Sequence, residues 1–492
     1  MSRVKRMAFG ALGVAVGCAV ALLWRPEGLS PQAVCSLGIL LGAIVWWVTG
    51  VLPEMVTAFV MVVLFIAVAG VPTETVLASF AGETWWLLFA AFGLGVGMKE
   101  SGLVMRIAHV VLSKFPATFK AQVAAIIASG TVIGPLIPSM SAKLAVITPL
   151  SFGIGTSLGY APKTREMNGL FLAALTGVRT VGPLFISACV IGYALLAFYP
   201  EDVQQHFNMV NWFIAALPWF VFVTVLNFVA ILLMYGPKQR KVVAESASAN
   251  VRGAERSNGD ADVSSLAKEG SASDHAVRSE ELGPMSREEK RMLVVILVTV
   301  ALWVLEPLHG IPSAAVGLAG VAALLGLRVC APREFRYGLN WESLLFIGTV
   351  MGLADVFSCT GIDTWVVELV GPALAQLAFS PFAFVAGIAL VTLVLRFIIA
   401  SEMAFINIFM AFMAPMAVSL GVNPWIVGFA VYAMVNPWFM KYQNPIYMAA
   451  FYSVDGRMVD HAPMAAYCGV YMVICLAGLM VSVPYWQMLG LL

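Results

Sequence analysis

The sequence predicts an all-α polytopic membrane protein, with about 11 transmembrane helices and two re-entrant hairpins in two inverted repeats. Three observations predict it. Hydrophobic residues make up 61% of the 492-residue chain and charged residues 11%, far from the proportions of soluble domains. Apolar runs of spanning length recur on both sides of one polar stretch at 236–290. Each half also holds a polar knot between apolar arms: Pro138-Ser139-Met140-Ser141-Ala142-Lys143 in the first and Ala400-Ser401-Glu402-Met403-Ala404 in the second. A spanning helix needs ~20 residues, and the arms at 121–137 and 144–158 fall short. Such a chain enters the bilayer, turns near the midplane and leaves on the side it came from, with its polar turn lining a protein cavity.

Residues 1–32 form an N-terminal helix and loop, in which Arg3, Lys5 and Arg6 precede an apolar run at 7–24. A signal peptide has this shape, but the many spans that follow favour an uncleaved helix with its N-terminus in the cytoplasm. The first repeat, 33–235, has spans at 33–51, 54–71 and 85–102, with Trp85 and Trp86 as interfacial anchors. Its hairpin covers 120–158. The segment 168–199 is too long for one span and is interrupted by Thr176-Gly177-Val178-Arg179-Thr180-Val181-Gly182-Pro183. Glycines, a proline and an arginine at mid-membrane predict an unwound helix, whose half-helix ends present backbone groups to ligands. The alternative is a kink with Arg179 held by a neighbouring helix. A span at 210–235 closes the repeat.

Residues 236–290 are rich in Ser, Ala, Gly and mixed charges, a composition that predicts a disordered linker. Its basic ends, Lys238, Arg240 and Lys241 on one side and Lys290 and Arg291 on the other, place it in the cytoplasm. The second repeat, 291–492, has spans at 292–308, 312–327 and 342–360, a hairpin at 380–420, a long segment at 424–452 and a span at 464–489. The long segment is broken between Asn436-Pro437 and Asn444-Pro445, with Lys441 in the break. Trp86-Leu-Leu-Phe89 with Ser101-Gly102-Leu103 is echoed by Leu344-Leu-Phe346 with Thr360-Gly361-Ile362. Five spans per half invert the second copy, so the first hairpin enters from the cytoplasm and the second from outside.

Several functions are excluded. The net charge of +1, without a basic stripe, argues against nucleic acid. The seven cysteines are scattered without metal spacing and read as small core residues. No HExxH, and no GxSxG with a placed histidine, points to an enzyme. Paired hairpins and broken helices favour alternating access over a continuous pore.

The two knots resemble the tips of the divalent anion:sodium symporter family, within the wider ion transporter superfamily. In the dicarboxylate translocator and citrate–succinate exchanger branch the first tip reads Pro-Ser-Asn-Thr-Ala-Arg, with a proline six residues on. Here Ser139 is kept, Met140 replaces Asn, Ser141 replaces Thr, Lys143 replaces Arg, and Pro149 follows. The second tip is similar to Phe-Ala-Ser-x-Thr-Ala-His-Val, with Ser401 and Ala404 kept. The likeness runs from about residue 34 to the end and includes Asn444-Pro445-Ile446-Tyr447. It implies a homodimeric secondary transporter of di- or tricarboxylates, moving its hairpin domain like an elevator.

Carried over, Ser139, Ser141 and Ser401 hold substrate carboxylate or backbone geometry at the tips, and Thr180 and Asn444 belong to the helix-break loops; position and charge add Met140, Lys143, Glu402, Met403 and Lys441 to the substrate-binding candidates. The helix-break loops hold Gly177, Arg179, Gly182 and Pro183 in one half and Asn436, Pro437 and Pro445 in the other. No metal or cofactor is implied beyond sodium, and Met140 lacks the side-chain oxygen that a sodium site would use. A buried anion needs a cation beside it, and Lys143, Lys441 and Arg179 are placed to supply that charge permanently. A fixed cation penalises the empty carrier and favours anion exchange. Lys143 as a structural bridge to Glu402, and Arg396 paired with Glu402, are the alternatives. Glu402 at a low-dielectric tip is also a candidate proton carrier. Proton- or sodium-coupled symport, of sulfate as well as carboxylates, and sodium/proton antiport stay open.

Overall fold

The computed structural model describes residues 3–237, 283–369, 380–399, 401–439 and 444–492. The linker residues 238–282, with Lys238, Arg240 and Lys241, lie outside them, as do Ala400 and Lys441. The described residues are helical, without a strand among them.

The two halves show the same order of elements. After the N-terminal helix Arg3–Leu23, the first half runs through Pro31–Thr49, Glu54–Ala67 and Glu83–Glu100, and the second through Arg287–Val304, Ser313–Gly326 and Trp341–Met351. Each half then has a hairpin: Phe119–Ile133 with Met140–Ser157, and Pro381–Leu395 with Glu402–Ser419. Each has a broken helix: Arg165–Leu184 with Val190–Leu196, and Pro424–Val435 with Pro445–Tyr452. Each ends on a long helix, Met209–Tyr235 or His461–Met488.

Seven described helices are long and apolar enough to cross a membrane, or eight if Glu83–Glu100 and Leu103–Ser113, bent by 69°, count as one span. The protein is a multi-span integral membrane protein. The bend explains the echo between the halves. Gly102 and Gly361 both adopt left-handed conformations, at φ +79° and +75°, which favour glycine at a sharp change of direction. The echoed segments also meet, because Trp85 Nε1 donates to Leu344 O at 3.1 Å. Trp85 is therefore buried between the halves, while Trp86 is exposed. An indole N–H needs an acceptor once buried, and the facing repeat supplies it.

Helix starts follow side-chain caps. Ser139, Thr164, Asn208, Ser401 and Asn444 each accept a hydrogen bond from a backbone N–H of the helix they open, satisfying donors that a first turn leaves unpaired. Ser286 and Glu289 form a capping box. The helix after the linker thus begins at Arg287, ahead of the boundary at 290 that composition predicts. Glu289 also takes Arg106 Nε at 2.7 Å, tying the first half to this cap.

Burial grades from lipid to centre. Only 6% of the Lys5–Leu23 window is buried, whereas Met167 to Leu184 are buried without interruption. A helix covered all round can hold polar residues that a lipid-facing one cannot. Asn227 Nδ2 donates to Thr176 Oγ1 at 2.8 Å, and Tyr467 Oη donates to Asn227 Oδ1 at 2.6 Å. That relay joins both long helices to the central one.

Candidate functional site

The first break lies downstream of its predicted place. Gly177, Arg179, Thr180, Gly182 and Pro183 belong to the continuous helix Arg165–Leu184, and regularity fails at Phe185–Cys189 around a short 3-10 turn. Proline conflicts with the turn before it, not the one after, so a helix can run through Pro183 and stop two residues on. The carbonyl of Pro183 accepts Trp212 Nε1 at 2.9 Å. The glycines serve close approach instead of unwinding. A Cβ on Gly177 would stand 3.1 Å from Ile127 Cα, and one on Gly130 would stand 3.1 Å from Gly177 C. A Cβ on Gly182 would collide with Met140 Cε and stand 2.7 Å from Tyr432 Oη. Met140, at the hairpin tip, thus packs onto the central helix. In the second half, Asn436 and Pro437 follow Pro424–Val435 directly, and Pro445 opens the next helix.

Two clusters form. In the first, the fully buried Lys143 donates from Nζ to Ala188 O at 2.6 Å and Gly134 O at 3.3 Å. Val190 N donates to Pro138 O at 3.1 Å. Lys143 therefore pins the first hairpin to the first break through backbone carbonyls and makes no bridge to Glu402. Ser139 caps the hairpin's second arm and, with Pro138 and Ala142, lines a cavity of about 530 Å³ together with Gly95, Lys99 and Asn340. Ser141 is exposed.

In the second cluster Arg179 joins elements from both halves. Its Nη2 donates to Glu402 Oε1 at 2.9 Å and to Val435 O at 3.2 Å, and its Nη1 donates to Asn444 Oδ1 at 3.0 Å. Asn444 Oδ1 also caps Tyr447 N at 2.8 Å. Arg396 Nη2 lies 3.8 Å from Glu402 Oε1, and its Nη1 donates to Ile399 O at 2.7 Å. Among the described residues, Arg179 Nε and the Nδ2 atoms of Asn436 and Asn444 are buried and have no partner. Leaving a buried donor unpaired costs ~1–3 kcal/mol.

The remaining predicted residues separate from these clusters. Thr180 Oγ1 pairs with Tyr471 Oη at 3.0 Å, Ser401 caps its own hairpin arm, and Met403 is half-buried. Tyr471 and Asn227 were not singled out from sequence; a polar residue inside an apolar run was the available signal. Cys189, Cys330, Cys468 and Cys475 are buried, but Cys18 and Cys359 are exposed, so the reading of all seven as core residues is corrected for those two. Among the described residues no group of His, Cys, Asp or Glu could hold a metal ion.

The family described as sodium:sulfate symporter transmembrane region matches residues 5–492. The chain belongs to this family. It is a transporter and not an enzyme, and the resemblance read from the hairpin tips agrees with the match. The inner membrane protein YbhI of Escherichia coli is 25% identical over 80% of this chain and 79% of its own. The chloroplastic dicarboxylate transporter 1 of Spinacia oleracea is 24% identical over 84% of this chain and 70% of its own. An L-tartrate/succinate antiporter of Escherichia coli is 22% identical over 82% of each. Among solved structures, the YdaH transporter of Alcanivorax borkumensis superposes with a TM-score of 0.57 at 16% identity, covering 99% of this chain and 98% of that one. That likeness concerns the fold.

Proposed function

We propose that this transporter exchanges small dicarboxylates across the membrane, with buried cations of its own in place of sodium. The observation that carries the reading is the Lys143 ammonium, bonded to carbonyls of the first hairpin and of the first break. A sodium ion joining those two elements would occupy such a carbonyl cradle, because it needs oxygen ligands. Named relatives include dicarboxylate transporters and a tartrate/succinate antiporter, which supports the substrate class. Pairing of Glu402 with a guanidinium that stays charged weighs against Glu402 as a shuttling proton carrier.

On this reading the substrate reaches Ser139 through the cavity at the first tip. Ser139, Met140, Ser141 and Lys143 act with Ser401, Glu402, Met403 and Asn444 around the two tips, and Thr180 backs the site; Lys441 lies outside the described residues. The halves form inverted repeats, the chain works as a homodimer by elevator movement, and the N-terminus and linker lie in the cytoplasm.

The test is counterflow in proteoliposomes of the full chain. Vesicles loaded with unlabelled succinate should take up labelled succinate equally in sodium and choline, and empty vesicles should not. Uptake into empty vesicles that requires an inward sodium gradient would instead make the protein a sodium symporter.

A further inference from the structure

Arg179 has more donors around it than acceptors. Its own Nε and the amide nitrogens of Asn444 and Asn436 are buried and have no partner among the described residues. Asn444 is bonded to Arg179 through its other side-chain atom, and Asn436 directly follows Val435, whose carbonyl Arg179 also holds. The acceptors present are two neutral oxygens and one carboxylate, Glu402, which arrives from the tip of the second hairpin. Three elements supply the donors, and the anion is contributed by a fourth that carries it on a single side chain. Protein groups that exist only to stabilise one ion pair would be expected to saturate it, yet these donors outnumber their partners.

We propose that Arg179, Asn444 and Asn436 form a subsite for one carboxylate of the transported anion, and that Glu402 occupies it when no anion is bound. This rests on the transport reading above. The incoming carboxylate takes the guanidinium from Glu402 and finds the amide donors that Glu402 leaves unused, so it is bound better than the resident it displaces. Glu402 then remains beside Arg396, with which it already shares a contact at 3.8 Å. Half-buried Glu54 is the other carboxyl near that tip. An internal counter-anion keeps the guanidinium paired in the empty carrier and lowers apparent affinity by the fraction of time it fills the site.

The experiment is calorimetric titration of the purified full chain with succinate. Glu402→Gln keeps the shape but vacates the charge, and should tighten succinate binding by about tenfold or more, because self-occupancy no longer competes. Arg179→Gln with Glu402→Gln removes both members of the pair together. This double variant should elute as a single species like the parent, yet bind succinate at least about tenfold more weakly than Glu402→Gln alone. Unchanged or weaker binding by Glu402→Gln, or a double variant that binds as tightly as Glu402→Gln, overturns the proposal. A parent chain that binds none of succinate, malate and citrate in either sodium or choline overturns the transport reading and this subsite with it. A parent that binds while the variants match it overturns the subsite alone.

Discussion

Replacing Lys143 by alanine tests the fixed-cation idea most directly. The fully buried ammonium makes two charge-assisted hydrogen bonds, to Ala188 O at 2.6 Å and Gly134 O at 3.3 Å. Each such bond contributes ~1.5–3 kcal/mol, so their loss costs roughly 3–6 kcal/mol before compensation. Compensation is large, because removing the ion also removes its desolvation penalty of several kcal/mol. The two terms are of similar size, so Lys143→Ala should melt within a few degrees of the parent. Substrate binding behaves differently. With an effective dielectric of about 20 and a separation of roughly 6 Å, a cation and a carboxylate attract by about 2.8 kcal/mol, which corresponds to about a hundredfold in affinity.

The same substitution leaves a carbonyl cradle without a cation. Gly134 O and Ala188 O then suit a small hard ion that takes oxygen ligands. Lys143→Ala should therefore lose succinate binding in choline, measured by calorimetry, and regain part of it in sodium. Binding in choline at the parent's affinity would refute the reasoning, since the charge would then contribute nothing to the anion. A collapse in melting temperature beyond ten degrees or so would refute the near-cancellation of bond and desolvation terms.

Other substitutions separate scaffold from site. Gly177→Val sets a side chain against Ile127 Cα, only 3.1 Å from its Cβ, and should lower stability by ~1–3 kcal/mol, as overpacking does, read as a fall in melting temperature. Asn227→Ala breaks the relay from Thr176 to Tyr467; within a membrane such bonds average about 0.6 kcal/mol, so a small loss of melting temperature with counterflow retained is expected. Deletion of 246–285, inside the linker, should leave counterflow rates unchanged if that stretch is only a tether.

The hairpins were legible because length is a physical constraint: arms too short to span must turn back, and the caps at Ser139 and Ser401 stand where the arms restart. The left-handed glycines were legible as a repeated triplet, although only the structure shows that the triplet bends a helix. The first break was misplaced because glycine and proline signal two different things. At Gly177 and Gly182 the missing Cβ admits a neighbour, and at Pro183 the helix is already near its end. Long-range partners were not legible. Glu402 finds Arg179 across 223 positions of sequence, and an arginine a turn and a half away was the nearer candidate. Nor does a sequence show which carbonyls lie open, and Lys143 is held by two of them.

The two tips meet the same electrostatic demand in different ways, and the difference bears on coupling. At the first tip the described hydrogen-bond partners of the cation are two backbone carbonyls, so on the proposed reading its charge is left for an entering anion. At the second, Arg179 is already matched by Glu402, and its charge becomes available only when Glu402 turns aside. Among the buried described residues of the hairpins and broken helices, Lys143, Arg179 and Arg396 are the basic ones and Glu402 is the acidic one. On the transport reading proposed above, an empty carrier moves with this positive charge less fully matched, which is costly in a low-dielectric barrier, and a carrier holding a dianion moves closer to neutral. On the exchange reading that asymmetry is the coupling: no external ion is needed, because the unloaded transition is the step that the buried charges make slow.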